Sequence, residues 1–382
     1  PPHGPATQWG ATKTAGNAGR LGWPRCGKYR KVRALMSTPT TAKSAASFDE
    51  MRRILRELPG PDLEAQTRVV QRQTELTKPA GSLGRLEEIA EWLAAWQGRA
   101  QPRVERPRIA VFAGTHGVAA RGVSAYPPEV TQQMVKNFLN GGAAINQLAA
   151  AIDADLRIYE LDLAHPTGDF TQGPAMNETR AANAMAYGMM AAEPGIDVLC
   201  LGEMGIANTT AAATLCAALF GGTGEDWAGP GTGVAGKALE HKIAVIDEAL
   251  AHHKEAIARR DPLELLAAVG GEEFAAIIGA IVAARMGHIP VLLDGYACTA
   301  AAAVLHAVDR RALDHCLVAH RSAEPGHDRL LKAIERRPLF DLDMRLGEAS
   351  AAALAVPLLK AAAACHNGMA TFAEAGVSSK DE

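Results

Sequence analysis

Residues 201–210, which read LGEMGIANTT, combine an acid, two glycines and polar residues that could begin a helix. Glu203 and Gly205 come shortly before Asn208 and Thr209, either of which could cap that helix. Backbone N–H groups at a helix start, together with the helix dipole, favour an anion such as phosphate. An ordinary strand-to-helix turn explains the same pattern equally well, so the segment is a candidate anion site only.

A second candidate is the stretch GPGTG at residues 229–233, which is followed by Lys242. A loop containing Gly231 lets backbone approach a ligand, and one nearby ammonium group suits a phosphate or a carboxylate. Considered alone, a surface turn followed by a solvated lysine is the more common origin of this pattern.

Glu348 is a third candidate, in the segment MRLGEAS at residues 344–350. The alanine run that follows predicts a helix with Glu348 in its first turn, where a carboxylate interacts favourably with the helix dipole. The same carboxylate could act as a general base. The dipole would lower its pKa, whereas burial in an apolar cleft would raise it. The residues alone leave both interpretations open.

Two further side chains follow predicted strands. His116 lies in the segment GTHGV and could act as an acid, a base or a ligand contact, although a single loop histidine more often makes a structural hydrogen bond. Ser322 lies in HRSAE at residues 320–324, where a ligand contact and an ordinary loop are equally favoured.

The elements that must position these residues are predicted from apolar runs at 109–113, 156–163, 198–201, 290–293 and 317–319. Alanine-rich helical stretches separate the runs. Runs that are apolar on both faces and alternate with helices predict an α/β fold, a parallel open sheet flanked by helices in a Rossmann-like large domain. In such sheets ligands bind at the carboxyl ends of the strands.

Helical periodicity dominates both ends of the predicted sheet region. We predict that residues 46–105 are the N-terminal helical part of a small domain and that residues 106–344 are the α/β catalytic domain. Residues 345–382 are predicted to be helical and to pack back on the N-terminal helices. The small domain would therefore be assembled from both chain ends.

Residues 1–35 carry seven Lys and Arg residues and no acid, so the rest of the chain is more acidic than the net charge of -3 indicates. This stretch has no apolar period. We predict that residues 1–45 are a disordered basic extension and that the natural start is Met36. A functional arm, such as a transit peptide or a nucleic-acid-binding segment, is the alternative.

Composition and cysteine spacing exclude other classes. The near-neutral net charge gives no global basic excess for nucleic acid. The longest uncharged stretch, between Glu203 and Glu225, is too rich in glycine and threonine for a membrane span. The six cysteines are scattered without a CxxC motif, which favours buried free thiols of a cytoplasmic protein over a metal site or disulfides.

Seven motifs, taken in order, resemble those of the nicotinate-nucleotide–dimethylbenzimidazole phosphoribosyltransferase family, enzymes of cobalamin nucleotide-loop assembly. They are TKPAGSLGRLE at 77–87, HGV at 116–118, GPAM at 173–176, GEMGIANTT at 202–210, PVLLDG at 290–295, SAE at 322–324 and RLGE at 345–348. One motif would be weak evidence, but seven in order over about residues 48–370 are highly specific.

The resemblance implies that a benzimidazole nitrogen attacks C1′ of the ribose in nicotinate mononucleotide and that nicotinate leaves with inversion, giving α-ribazole 5′-phosphate. It implies a homodimer that uses small-molecule substrates and no metal or other cofactor, with Glu348 as the general base. The substrate contacts that it implies are Glu203, Gly205, Gly231, Lys242 and Ser322, with Tyr126 and Met134 around the azole pocket. The residue patterns add Asn208, Thr209 and His116.

Tyr126 and Met134 stand where some relatives carry Ser and Gln, so the preferred base is open. One alternative is the same chemistry on another azole, a purine or a phenol. A second, from a different class, is a non-catalytic paralogue that binds an azole or its α-riboside.

Overall fold

A computed structural model describes residues 30–33 and 46–378. Its main sheet is fully parallel, with strand order β1-β3-β2-β4-β5-β6. The strands are β1 (Arg30–Arg33), β2 (Pro107–Ala113), β3 (Asp155–Glu160), β4 (Val198–Met204), β5 (Val291–Leu293) and β6 (Cys316–Val318). Strands β2 to β6 coincide with the apolar runs, so the predicted α/β fold with a parallel sheet is confirmed.

Helices cover both faces of this sheet, and β7 (His320–Arg321) pairs with β8 (Phe340–Asp341) in a small second sheet. The helices of the described residues are α1 (Phe48–Arg56), α2 (Leu63–Glu75), α3 (Arg85–Gln97), α4 (Val130–Leu139), α5 (Ala144–Ala151), α6 (Glu178–Gly188), α7 (Asn208–Phe220), α8 (Gly224–Trp227), α9 (Lys237–His252), α10 (Lys254–Arg259), α11 (Pro262–Val269), α12 (Glu272–Met286), α13 (Tyr296–Val308), α14 (Pro325–Ala333), α15 (Ser350–Gly368) and α16 (Phe372–Ala375). Within the described ranges, none is both long and apolar enough to span a bilayer.

Successive side chains of β2 point into two different cores. Ala110 and Phe112 join the core formed with α6, α7, α12 and α13. Ile109 and Val111 join the core formed with α3, α5 and α15. Because both faces of the strand are buried, the sequence of β2 is apolar from Ile109 to Ala113, and its one charged residue, Arg108, is paired with Asp155 and Glu193.

The two ends of the described chain meet on one face of the sheet, where α15 packs against α3 and α2. Helix α1 lies elsewhere. Its residues Phe48, Met51 and Leu55 join the core on the opposite face, and the Phe48 N–H donates to the Glu178 carboxylate at 2.9 Å. Residues 46–105 therefore do not pack as one helical piece, and the proposed domain limits stay a prediction.

The predicted N-terminal extension falls mostly outside the described residues. Within residues 1–45, only 30–33 are described, and they form the edge strand β1, paired in parallel with β3. A strand in this position is not what a disordered extension predicts for residues 30–33.

Helices α6 and α12 approach each other closely because each presents a glycine to the other. A Cβ at Gly279 would collide with the backbone carbonyl of Met185, and one at Gly188 would collide with the carbonyl of Ala276. This contact lets α12 lie against the sheet with its helix start near the edge where ligands bind in parallel sheets.

We expect Gly279→Ala to lower the free energy of unfolding by about 1–3 kcal/mol, since the added methyl forces two backbones apart. Urea denaturation measures this change. Gly368→Ala is the matched helical control, because a Cβ there meets nothing within 4 Å. Equal stability of the two variants would contradict the close contact.

Candidate active site

A cavity of about 300 Å³ opens at the carboxyl ends of β4, β5 and β6. Most of the substrate-contact residues predicted from the sequence line it. Those that do are Tyr126, Glu203, Gly205, Asn208, Thr209, Gly231 and Ser322. The structure thus brings together segments that lie more than a hundred residues apart, as the rule for ligand sites in parallel sheets predicts.

The start of α7 differs from the prediction. The N-cap residue is Ala207, which adopts a left-handed conformation with φ 76°, and no side chain caps the helix. The prediction that Asn208 or Thr209 is the cap is therefore wrong. Both side chains are instead used in the site, where the Asn208 amide donates to the Glu203 carboxyl and the Thr209 hydroxyl accepts from Lys242.

Glu203 lies near the end of β4 and is buried. Burial raises the pKa of its carboxyl to about 8, and the negative charges of Asp294 and Glu273 add to this effect. The hydrogen bond from Asn208 acts in the opposite direction. At neutral pH the Glu203 carboxyl is therefore mainly protonated and can donate a hydrogen bond.

Lys242 comes from α9 and is 1% exposed, which contradicts the solvated-lysine interpretation. Its ammonium group donates to Thr209 Oγ1 at 3.0 Å and to the Gly229 carbonyl at 2.8 Å. Burial lowers the Lys242 pKa to about 8, while the charge of Glu324 raises it. Gly231, with φ +53°, has no room for a side chain, since a Cβ would lie 2.5 Å from Thr209 Oγ1 and 3.1 Å from Lys242 Nζ.

Glu324 and Arg345 hold the loop that contains Gly231 from two sides. Glu324 Oε1 accepts from the Gly231 N–H at 2.9 Å, and Arg345 Nη1 donates to the Gly231 carbonyl at 2.7 Å. Ser322 Oγ accepts from the Glu324 N–H at 3.3 Å. Neither Glu324 nor Arg345 is among the residues predicted from the sequence to contact substrate, although both stand within the motifs that carry the resemblance.

Glu348 lies in a tight turn before α15 and not in the first turn of the helix, which begins at Ser350. Gly347, Glu348 and Ala349 have φ values of 80°, 63° and 60°. A left-handed conformation costs a non-glycine residue roughly 1–3 kcal/mol, so the surroundings must hold this turn. The Glu348 N–H donates to the Glu203 carbonyl at 3.1 Å.

Burial decides the protonation behaviour of Glu348. The residue is 4% exposed, and burial raises the pKa of its carboxyl to about 7. Of the two effects expected from the sequence, burial is thus the one that sets the pKa of Glu348. Glu348 itself does not line the cavity, but the two residues before it, Leu346 and Gly347, do.

Asp294, which directly follows β5, is a fully buried acid. It is not among the site residues predicted from the sequence. Its Oδ1 accepts from the N–H groups of Ala351 at 2.7 Å and Ala352 at 3.0 Å, in the first turn of α15. Burial raises its pKa to about 7 despite these bonds. The sequence signal that could have identified Asp294 as a site residue is its position directly after the apolar run at residues 290–293.

His116 and Met134 lie outside the cavity lining. His116 Nε2 and Glu273 Oε1 are 2.6 Å apart, and both side chains are inaccessible to solvent. This pair lies behind the loop, since a Cβ at Gly205 would be 3.4 Å from His116 Nε2. Met134, on α4, packs on the core that includes α3 and α15.

Side chains that could ligate a metal are dispersed in the described part of the chain. Among residues 30–33 and 46–378, no three or more His, Cys, Asp or Glu side chains are grouped so that they could hold a metal ion.

Comparison with known proteins places this chain in a family. A phosphoribosyltransferase family model matches residues 58–377. The nicotinate-nucleotide–dimethylbenzimidazole phosphoribosyltransferases of Brucella anthropi and Brucella canis are 55% and 56% identical over 335 residues, 88% of this chain and 98% of each relative.

The crystal structure of the enzyme of the same name from Thermus thermophilus superposes with a TM-score of 0.77 at 42% identity. The match covers 83% of this chain and 99% of that chain. Fold, motifs and extent of similarity agree, and the chain belongs to the nicotinate-nucleotide–dimethylbenzimidazole phosphoribosyltransferase family.

Proposed function

We propose that the protein transfers the phosphoribosyl group of nicotinate mononucleotide to 5,6-dimethylbenzimidazole with inversion at C1′. The products are α-ribazole 5′-phosphate and nicotinate, and the α-ribazole serves the lower nucleotide loop of cobalamin. The observation that carries the proposal is the placement of an acid with a pKa of about 7, Glu348, directly after the cavity-lining Gly347. On the other side, the buried Lys242 bonds Thr209, which lines the same cavity, and the carbonyl of Gly229 in the glycine loop. The names of the relatives support the substrates.

The chemistry needs little from the protein beyond alignment and proton removal. The lone pair of the neutral azole nitrogen forms the new C1′–N bond, and the electrons of the old glycosidic bond return to the pyridinium ring of nicotinate. The azole N–H proton passes to the Glu348 carboxylate. Holding the nucleophile behind C1′ supplies much of the acceleration, and a base near neutral pKa supplies the rest.

The phosphate is assigned to the side of the cavity at the start of α7, where Lys242, behind the lining residues, bonds the cavity-lining Thr209. With a pKa of about 8, Lys242 is mainly cationic at neutral pH. The positive end of the α7 dipole also favours an anion there. The protonated Glu203 carboxyl adds no negative charge beside the phosphate and can donate to a ribose or phosphate oxygen.

The functional unit is proposed to be a cytoplasmic homodimer. Tyr126 and Leu346 line the cavity and are 54% and 55% exposed, so a second subunit has apolar surface to cover beside the site. Sedimentation equilibrium with Leu346→Asp would test the dimer, since a charge there should shift the protein towards monomer.

The cytoplasmic location is supported by free, buried cysteines, as in proteins of a reducing compartment. They are Cys200, Cys216, Cys298 and Cys316.

Nicotinate release tests the reaction itself. Protein incubated with nicotinate mononucleotide and dimethylbenzimidazole should release nicotinate and form α-ribazole 5′-phosphate, both measured by chromatography. A purine and a phenol, tried in parallel, test the alternative acceptors. Tight azole binding without nicotinate release would replace the enzyme hypothesis by that of a binding paralogue.

Activity should depend on pH through three groups. Glu348 must be ionised to accept the proton, so kcat/KM for nicotinate mononucleotide should rise with pH through about 7. It should fall as pH rises through about 8, where Lys242 loses its charge and Glu203 its proton. Initial rates from about pH 5 to about pH 9.5, in buffers of constant ionic strength, measure both limbs.

Glu348→Gln keeps the shape of the side chain but cannot accept the proton. We expect kcat to fall by about a hundredfold or more and the rising limb of the pH profile to disappear. Glu240→Gln, on the exposed side of α9, is the control and should behave as wild type. A Glu348→Gln enzyme that runs at the wild-type rate would move proton removal to another group.

Lys242→Met removes the buried cation while keeping the aliphatic chain. We expect KM for nicotinate mononucleotide to rise by about tenfold or more, because a charge-assisted contact to phosphate is lost, with KM for the azole little changed. Lys237→Met, on the same helix but exposed, is the control. Equal increases in KM for both substrates would contradict a phosphate-specific role.

A further inference from the structure

The turn that carries Glu348 is contacted by strands β4 and β5 and by α15. From β4, the Glu203 carbonyl accepts the Glu348 N–H, and Gly202 provides the space that the Ala349 backbone occupies. Directly after β5, one carboxylate oxygen of Asp294 accepts two backbone N–H bonds from the first turn of α15. The turn and the helix start are thus fixed by groups from distant parts of the chain.

The surroundings of Asp294 are unusual for a carboxylate that caps a helix. The residue is fully buried, and its second oxygen, Oδ2, has no hydrogen-bond partner within the described part of the chain. The acids that act on it or on its neighbour Glu203 are Glu348, from the turn, and Glu273, from α12. A structural cap alone needs no carboxylate amid other buried acids, because an asparagine or serine caps a helix as well.

We propose that Asp294 is a positioning residue of the reaction, which holds the left-handed turn at Gly347–Ala349 so that Glu348 faces the azole. This rests on the proposed function. The two N–H bonds to Oδ1 anchor Ala351 and Ala352 at the start of α15. Without these bonds the helix start could shift, and the preceding turn, which has two non-glycine residues at positive φ, could relax to a less strained conformation. A shift of a base by about 1 Å is enough to slow a reaction strongly.

Asp294→Asn tests the proposal, since the amide keeps the shape and loses the charge that strengthens both bonds. We expect kcat to fall by about tenfold, with KM for nicotinate mononucleotide changed less than about threefold. The rising limb of the pH profile should move to lower pH, because a relaxed turn exposes Glu348 and weakens the burial that raises its pKa. A purely structural role would not move this limb.

A second variant, Ala349→Gly, tests whether strain in the turn causes the loss, because glycine adopts the left-handed conformation without strain. Added to Asp294→Asn, it should restore about threefold or more of the lost kcat and return the pH limb towards its wild-type position. If Asp294→Asn does not fold, and Ala349→Gly does not restore folding, the turn is not what Asp294 holds and the proposal is wrong.

Asp197→Asn is the matched control. Asp197 is also buried and its carboxylate accepts two backbone N–H bonds, from Glu105 at 3.1 Å and Arg106 at 3.0 Å, but it lies at the amino end of β4, away from the cavity. We expect it to lower stability and to leave kcat and the pH profile unchanged. Wild-type kcat and pH profile in Asp294→Asn would overturn the proposal.

Hydrogen exchange separates this proposal from the proposed function. The amides of Ala351 and Ala352 should exchange faster in Asp294→Asn and not in Asp197→Asn, whatever the enzyme does. If the wild-type protein released no nicotinate, the proposed function would fail, and this exchange would still decide whether Asp294 holds the turn. Unchanged exchange at both amides would overturn the positioning role.

Discussion

The contact between the end of β4 and the turn at residues 347–349 is the constraint on which the site depends. Gly202 has no side chain, so the Ala349 backbone can lie against the strand, and the Glu348 N–H reaches the Glu203 carbonyl. The turn is unfavourable in isolation because Glu348 and Ala349 both have positive φ. It persists because α15, which follows it, is anchored in the core with α3 and β2. Two acids from distant parts of the chain therefore meet at one sheet edge.

Burial gives these acids properties that they would lack on a surface. The pKa of Glu203 rises to about 8 and those of Asp294 and Glu348 to about 7, so the cluster can hold protons near neutral pH. Three ionised carboxylates would repel an anionic nucleotide, whereas partly protonated ones can donate hydrogen bonds and accept a proton. Burial also strengthens the electrostatic interactions of Lys242, the cation at the glycine loop, because charges interact strongly where water is excluded.

Much of the fold and part of the site could be predicted from the sequence. Strands buried on both faces are predominantly apolar, so β2 to β6 were visible as apolar runs, and the loops after them were expected to share one edge of the sheet. Local patterns failed where packing competes with them. Asn208 has the chemistry of a helix cap, but its amide bonds Glu203 instead, and Ala207 takes the cap position. Lys242 follows a turn-like segment, but α9 packs it into the interior.

By itself, the sequence determined the strands β2 to β6 and the alternation of strands with helices, the motifs of the family and the side chains available for chemistry, because these depend on residue type and short spacing. Only the tertiary structure decided which acids are close enough to raise each other's pKa, and that Asp294 bonds the start of α15. It also decided that α1 and α3 lie on opposite faces of the sheet. These outcomes depend on strand order and on backbone contacts between distant segments, for which no local pattern exists.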